Sequence, residues 1–219
     1  MENIDPAPSP DNTDGTEFLK RIDQYVRDAE KHMALADGTI SGTFDDSDFL
    51  FVVKICAVLE PLLKEAVREH VRRSMARILN FDPTSSDTLI KEIGELGNDK
   101  LRKILVEFKA IDGGLSGFLD GLFQVRNRYA HHIGNAHLSI LEVCDKVAAE
   151  GGDAKLIEKL VALGPISRDE LEPERLRAIM FFNIASVLAA AVHLAKPPPL
   201  PSGVLFGSMP LTLREQPPS

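Results

Sequence analysis

GFLDGLFQVRNRYAHHIGN, residues 117 to 135, spaces its apolar side chains as a helix does, yet it sets Arg126 among them and two adjacent histidines close behind. Leu115, Leu119, Leu122, Arg126, Tyr129 and Ile133 follow the 3.6-residue period, so the stripe expected to face a core includes an arginine. A guanidinium left unpaired there is costly. Asp120, Gln124, Asn127 and His131 fall on a neighbouring polar stripe, with Asn127 one turn below His131. Five residues of ideal helix turn through about 500°, about 140° net. Arg126 and His131 therefore point apart unless the helix ends between them or a second subunit supplies one of the two groups. Gly134 and Asn135 are expected to stop the helix just after the histidines.

The same periodicity extends in both directions. Phe18, Ile22, Tyr25 and Val26 repeat at helical spacing, as do the residues from Phe49 to Leu79, then Leu89, Ile93 and Leu96, then Leu101, Ile104, Leu105 and Phe108. The first half of the long segment, FLFVVKICAVLEPLL, is apolar nearly all round and predicts a central helix, kinked at Pro61. No strand alternation, internal repeat or glycine-rich phosphate loop is visible, and Gly113-Gly114 and Gly151-Gly152 read as turns between helices. The expected fold is all-α, an up-and-down helical bundle.

At 219 residues and 44% hydrophobic content the chain supports one well-buried core. Residues 1 to 14 and the Pro-rich 197 to 219 read as unstructured tails, which leaves 15 to 196 as one helical domain. The net charge of -8 argues against a protein that coats nucleic acid or anionic lipid through its overall field. Cys56 and Cys144 are isolated from one another and the N-terminus shows no signal-peptide pattern, so a reduced, cytoplasmic setting is expected.

Residues 178 to 195, AIMFFNIASVLAAAVHLA, contain no formal charge and reach the lower length limit for a membrane span. Asn183, Ser186, Ala190 and His193 gather on one stripe, a pattern that favours a buried helix of a bundle over a membrane span. Ser167 and Glu170 have capping-box spacing ahead of it, with Ile166 and Leu171 as a staple, and Pro173 suits the first turn.

Arg126-Asn127-Arg128-Tyr129-Ala130-His131, at the end of an apolar helix in the second half of an all-α chain, resembles the Arg-x4-6-His signature of the HEPN superfamily. The continuation HHIGNAHLSILEVCDKV is similar to the mannitol operon repressor branch, in which an inserted segment precedes the last long helix. The likeness in element order covers about residues 45 to 196. It implies a four- or five-helix bundle, commonly a homodimer, and in many members a metal-independent endoribonuclease. Arg126, Asn127 and His131 match the motif and inherit the catalytic roles by this resemblance. Ile133 stands where a toxin subgroup has a modifiable tyrosine, so that mode of silencing does not carry over. The expected partners are RNA, a second copy of the chain and an antitoxin or regulatory protein, in a regulatory or toxin-antitoxin setting; the competing reading is a non-catalytic regulatory module of the mannitol-repressor type.

The chemistry suits the residue types. A ribose 2′-hydroxyl attacking its own phosphate needs a group that exchanges a proton near neutrality, a role for His131. A planar guanidinium, Arg126, can meet the charge that develops on phosphorus-bound oxygens, and Asn127 can orient the phosphate or the imidazole. Against this stand purely structural roles: Arg126 paired with Glu60 or Asp120, and His131 capping a helix end. No cofactor is expected, and His131, His132 and His137 lack the companions of a metal site. Lys64, Arg68, Arg72, Arg73 and Arg77 form a locally basic face, more readily a solvated one than an RNA track.

Overall fold

The computed structural model describes residues 13–32, 34–76, 83–162 and 171–195. Among them the chain is all-helical: α1 (Thr13–His32), α2 (Asp48–Ala76), α3 (Pro83–Gly94), α4 (Asn98–Glu107), α5 (Gly113–His131), α6 (Ile140–Ala149), α7 (Leu156–Val161) and α8 (Pro173–Ala195), with short 3-10 turns at Ser41–Asp45 and Ile133–Asn135. The all-α bundle is thus as expected. Thr13 and Asp14, read above as the end of a tail, already belong to α1. The remainder of both tails, Arg77 and the Ser167–Glu170 capping spacing lie outside the described residues.

α2, α5 and α8 make the centre. α2 presents Phe51, Val52, Ile55, Leu59, Leu62 and Leu63 to the core, all at most 1% exposed, as its nearly continuous apolar sequence requires. It runs through Pro61 without ending. Proline leaves the Ala57 carbonyl without its helical donor, and both residues are exposed, where water can meet that carbonyl. α8 packs against α1, α2, α5 and α7. It is the one helix among the described residues long and apolar enough to cross a membrane by length and composition, and half of its apolar window is buried in the fold. Asn183 at its middle is wholly buried, and its side-chain amide donates to the carbonyls of Leu160 and Val161 at 3.1 and 3.3 Å, closing the C-terminal end of α7. The stripe read from the sequence is therefore split, with Asn183 inside and His193 exposed.

Gly113 and Gly114 do not form a turn. Asp112 caps α5, its carboxylate accepting from the Leu115 amide at 2.8 Å, and the two glycines are the first helical turn. Gly151 and Gly152 do form the expected one: Gly151 has φ +78°, its amide donates to the Ala148 carbonyl, and the Gly152 amide donates to the Val147 carbonyl, the two hydrogen bonds of a Schellman ending. Close packing of α5 on α7 depends on Gly121, where a β-carbon would stand 3.1 Å from Lys159 Cβ and 3.3 Å from Leu160 Cδ2. α6 and α7 fill the interval between the Arg-Asn-x3-His stretch and α8.

Candidate functional site

α5 continues to His131, so the two ends of the motif lie on one helix. The chain beyond it is pinned by three groups. The buried Asn135 side chain donates to the Arg128 carbonyl at 3.3 Å, closing the helix end, and accepts from Lys146 Nζ at 2.9 Å. Tyr129 Oη donates to the Leu138 carbonyl at 2.9 Å while its ring meets Phe49 edge-on at 5.6 Å. Burial, with Asp48 nearby, raises the Tyr129 pKa and keeps the hydroxyl a donor. Asp48 accepts from the Ile140 amide at 2.8 Å, and Ser139 and Glu142 form a capping box that starts α6. The turn after His131 is therefore built, not loose.

Asn127 and His131 open into the same groove, of about 320 Å³, with Arg128 and His132 beside them. The expected i, i+4 neighbours on the polar stripe are thus brought together. Gln124 and Asp153 line the groove as well, and Val147 with Gly152 supplies an apolar part of its surface. Gly152 is required there, because a β-carbon would fall 2.7 Å from Val147 Cγ1 and 2.9 Å from the Val147 carbonyl oxygen.

Arg126 is not among the groove's lining residues. Its stem follows the core stripe, on which Leu119, Leu122 and Tyr129 are buried, and its head emerges half-buried toward α2. Nη2 is 3.6 Å from Glu60 Oε2, and the guanidinium carbon is 6.0 Å from the centre of the Phe123 ring. Nε is buried, and among the described residues no acceptor meets it. Glu60 is also shared, since its other oxygen takes Lys64 at 3.1 Å. Of the two candidate structural partners of Arg126, Glu60 is the one engaged; Asp120 is held by Lys159 at 2.6 Å and Arg102 at 3.0 Å. Under Arg126 lies Cys56, whose thiol is pushed up to about 12 by burial against the opposing pull of the arginine, so it stays protonated near neutrality.

Sequence reasoning missed Lys159 and Asp153. The ammonium of Lys159 lies 2.6 Å from both Asp120 and Asp153, joining α5, α7 and the turn between α6 and α7. Hydrogen bonds to Asp120 and Asp153 raise Lys159 above the ordinary lysine range, and the bond from Lys159 holds Asp153 below the ordinary carboxylate range. Only the i, i+4 relation of Asp120 and Gln124 signalled this cluster; their side chains meet at 2.9 Å. The basic face on α2 resolves largely into pairs within the helix, Lys64 with Glu60, Arg68 with Glu65, and Arg72 and Arg73 with Glu69. Among the described residues no three His, Cys, Asp or Glu side chains converge as ligands of one metal ion.

The arrangement is a helical bundle in which one helix end offers imidazole, amide and guanidinium groups to an open groove, with a second, incompletely paired guanidinium on the adjoining face. Comparison with protein-family models, with curated proteins and with solved structures finds no match to this chain.

Proposed function

We propose that this chain is an HEPN-like RNA-binding protein of the cytoplasm that acts as a metal-independent endoribonuclease in a regulatory or toxin-antitoxin setting, with its site completed across a two-fold homodimer. The observation that carries this reading is the division of the motif: Asn127 and His131 share the open groove, while Arg126 on the neighbouring face keeps a buried Nε that no acceptor meets among the described residues. Two copies related by a two-fold axis set each Arg126 toward the other copy's groove and bring two His131 side chains to one phosphate. One imidazole then takes the proton of the 2′-hydroxyl as its oxygen bonds to phosphorus. The other gives a proton to the departing 5′-oxygen as the P–O5′ bond breaks. Arg126 meets the charge on the phosphorus-bound oxygens and Asn127 orients the phosphate. The products are a 2′,3′-cyclic phosphate and a 5′-hydroxyl.

The test is cleavage of single-stranded RNA by the purified full chain in excess chelator, with the ends identified by mass spectrometry and the association state measured by light scattering. A dimer that leaves 2′,3′-cyclic phosphate ends supports the proposal. A monomer that cleaves nothing overturns it. One observation favours a second reading: Arg126 already has Glu60 as a partner within the protomer, which suits a non-catalytic regulatory module of the mannitol-repressor type that binds a protein partner. Retained binding to such a partner by His131→Ala would favour that reading.

A further inference from the structure

The groove beside His131 is chemically divided, and the division concerns which nucleotide it takes. At one end Asn127, His131 and His132 supply side-chain donors, and Arg128, whose Nη1 is taken by Glu150 at 3.0 Å, supplies the rest of its guanidinium. At the other, Gln124 and Asp153 are oriented by their own partners. Gln124 Nε2 is turned inward, donating to Asp120 at 2.9 Å and toward Asp153 at 3.5 Å, so its Oε1 is the end left to accept. Asp153 Oδ2 takes Lys159 at 2.6 Å, and among the described residues Oδ1 takes only the Lys155 amide at 3.0 Å, which leaves Oδ1 a lone pair. The side chains at this end can only accept. A phosphate is repelled from the carboxylate and belongs at the histidine end; the acceptor end suits a group with two adjacent donors. Among the four RNA bases only guanine offers that on its Watson–Crick edge, in N1–H and the 2-amino group, whereas adenine and cytosine offer one amino group and uracil one imino group. Val147 and Gly152 give the ring an apolar surface to lie against, and about 320 Å³ is at the small end for a ligand site, room for one nucleotide unit.

We infer that the groove is a subsite for a guanosine monophosphate unit, with the phosphate against His131 and Asn127 and the guanine edge against Gln124 and Asp153. This rests on the RNA-directed reading above and makes it specific: the chain selects a guanosine beside the phosphate it engages.

The experiment titrates the full chain with 3′-GMP, 3′-AMP, 3′-CMP, 3′-UMP, 3′-IMP and inorganic phosphate by calorimetry, then with short RNAs that hold one guanosine or none. The 3′-GMP is expected to bind about 10-fold more tightly than the other three standard nucleotides, and 3′-IMP, lacking only the 2-amino donor, to lose most of that margin. Gln124→Met, which keeps the length of the side chain and removes the acceptor, should abolish the preference while circular dichroism shows an unchanged fold. Preference for the guanosine-bearing RNA over 3′-GMP identifies a chain as the ligand; equal affinity identifies the free nucleotide, and either outcome upholds the subsite. Equal binding of all the nucleotides, or phosphate binding as tight as 3′-GMP, overturns the guanine subsite and leaves the RNA reading standing. Failure of every nucleotide and every RNA to bind overturns both.

Discussion

Two arginines enter the core of this bundle and are treated differently. Arg177 on α8 donates to the carbonyls of Phe44 and Asp46 at 2.9 and 2.6 Å, pairs with Asp48 and lies over the Phe51 ring at 5.5 Å. Both terminal nitrogens of that guanidinium are engaged, and they tie the 3-10 turn, α2 and α8 together. Among the described residues Arg126 on α5 has one long ion pair, at 3.6 Å, with a carboxylate that Lys64 also claims, and a buried Nε without an acceptor. Both corners hold an ion pair within the chain, but the one at Arg126 is long and shared. In the proposed two-fold site, a phosphate bound at the other copy's groove would supply the acceptor that Arg126 lacks here.

The largest effect that sharpens the contrast is on chemistry. His131→Ala removes the proposed proton-exchanging group and should lower RNA cleavage by about 10²- to 10⁴-fold. Because His131 is exposed at the end of α5, the melting temperature should hardly move; a large fall would mean that the histidine serves the fold. Next is Arg177→Met, which strands Asp48 in a mostly buried corner and should cost about 3 kcal/mol, a fall of about 10 °C in melting temperature for a domain of this size. Cleavage per folded molecule should be retained, and loss of activity without loss of stability would erase the distinction between the two corners.

A smaller effect concerns the Lys159 cluster behind the groove. Asp153 is held below its ordinary value of 3.8, so its contribution to stability is present above that pH and is lost as pH falls through the lowered folded value. Lys159 is held above its ordinary value of 10.5, so its contribution is present below that pH and is lost as pH rises through the raised value. The stability difference between the unmutated protein and Lys159→Met should therefore be flat between these limits and shrink beyond either. Chemical denaturation at a series of pH values measures it; a difference that instead peaks near pH 7 and collapses by pH 5 would place the titrating group elsewhere.

How much of this could be read from residues alone follows from the range of each interaction. Helices were legible because their signal is local: the apolar stripe of α2, Pro173 opening α8 and the Gly151 ending of α6 all lie within a few residues of what they determine. Local signals were also misread, as when Asp112 caps a helix whose first turn is Gly113-Gly114, or passed over, as with the Ser139 and Glu142 capping box. Asn127 and His131 sharing one groove followed from i, i+4 spacing, and the divergence of Arg126 from its five-residue step to His131. The partners of these groups did not. Lys159 reaches Asp120 across 39 positions and Arg177 reaches Asp48 across 129, and no periodicity reports which charges meet when separate helices pack. Glu60 was legible only as one of two candidates for Arg126, because choosing between carboxylates on α2 and α5 needs the crossing of those helices.

The measurement that bears most directly on the contrast between the two arginines is Arg126→Met, assayed for both stability and RNA cleavage on the same preparation. Replacing a guanidinium whose pair is long and half exposed should change unfolding free energy by less than about 1 kcal/mol, while cleavage falls by at least about 100-fold through loss of the group that meets the transition-state charge. A loss of several kcal/mol with cleavage per folded molecule unchanged would show that Arg126, like Arg177, is a structural arginine, and would contradict the account.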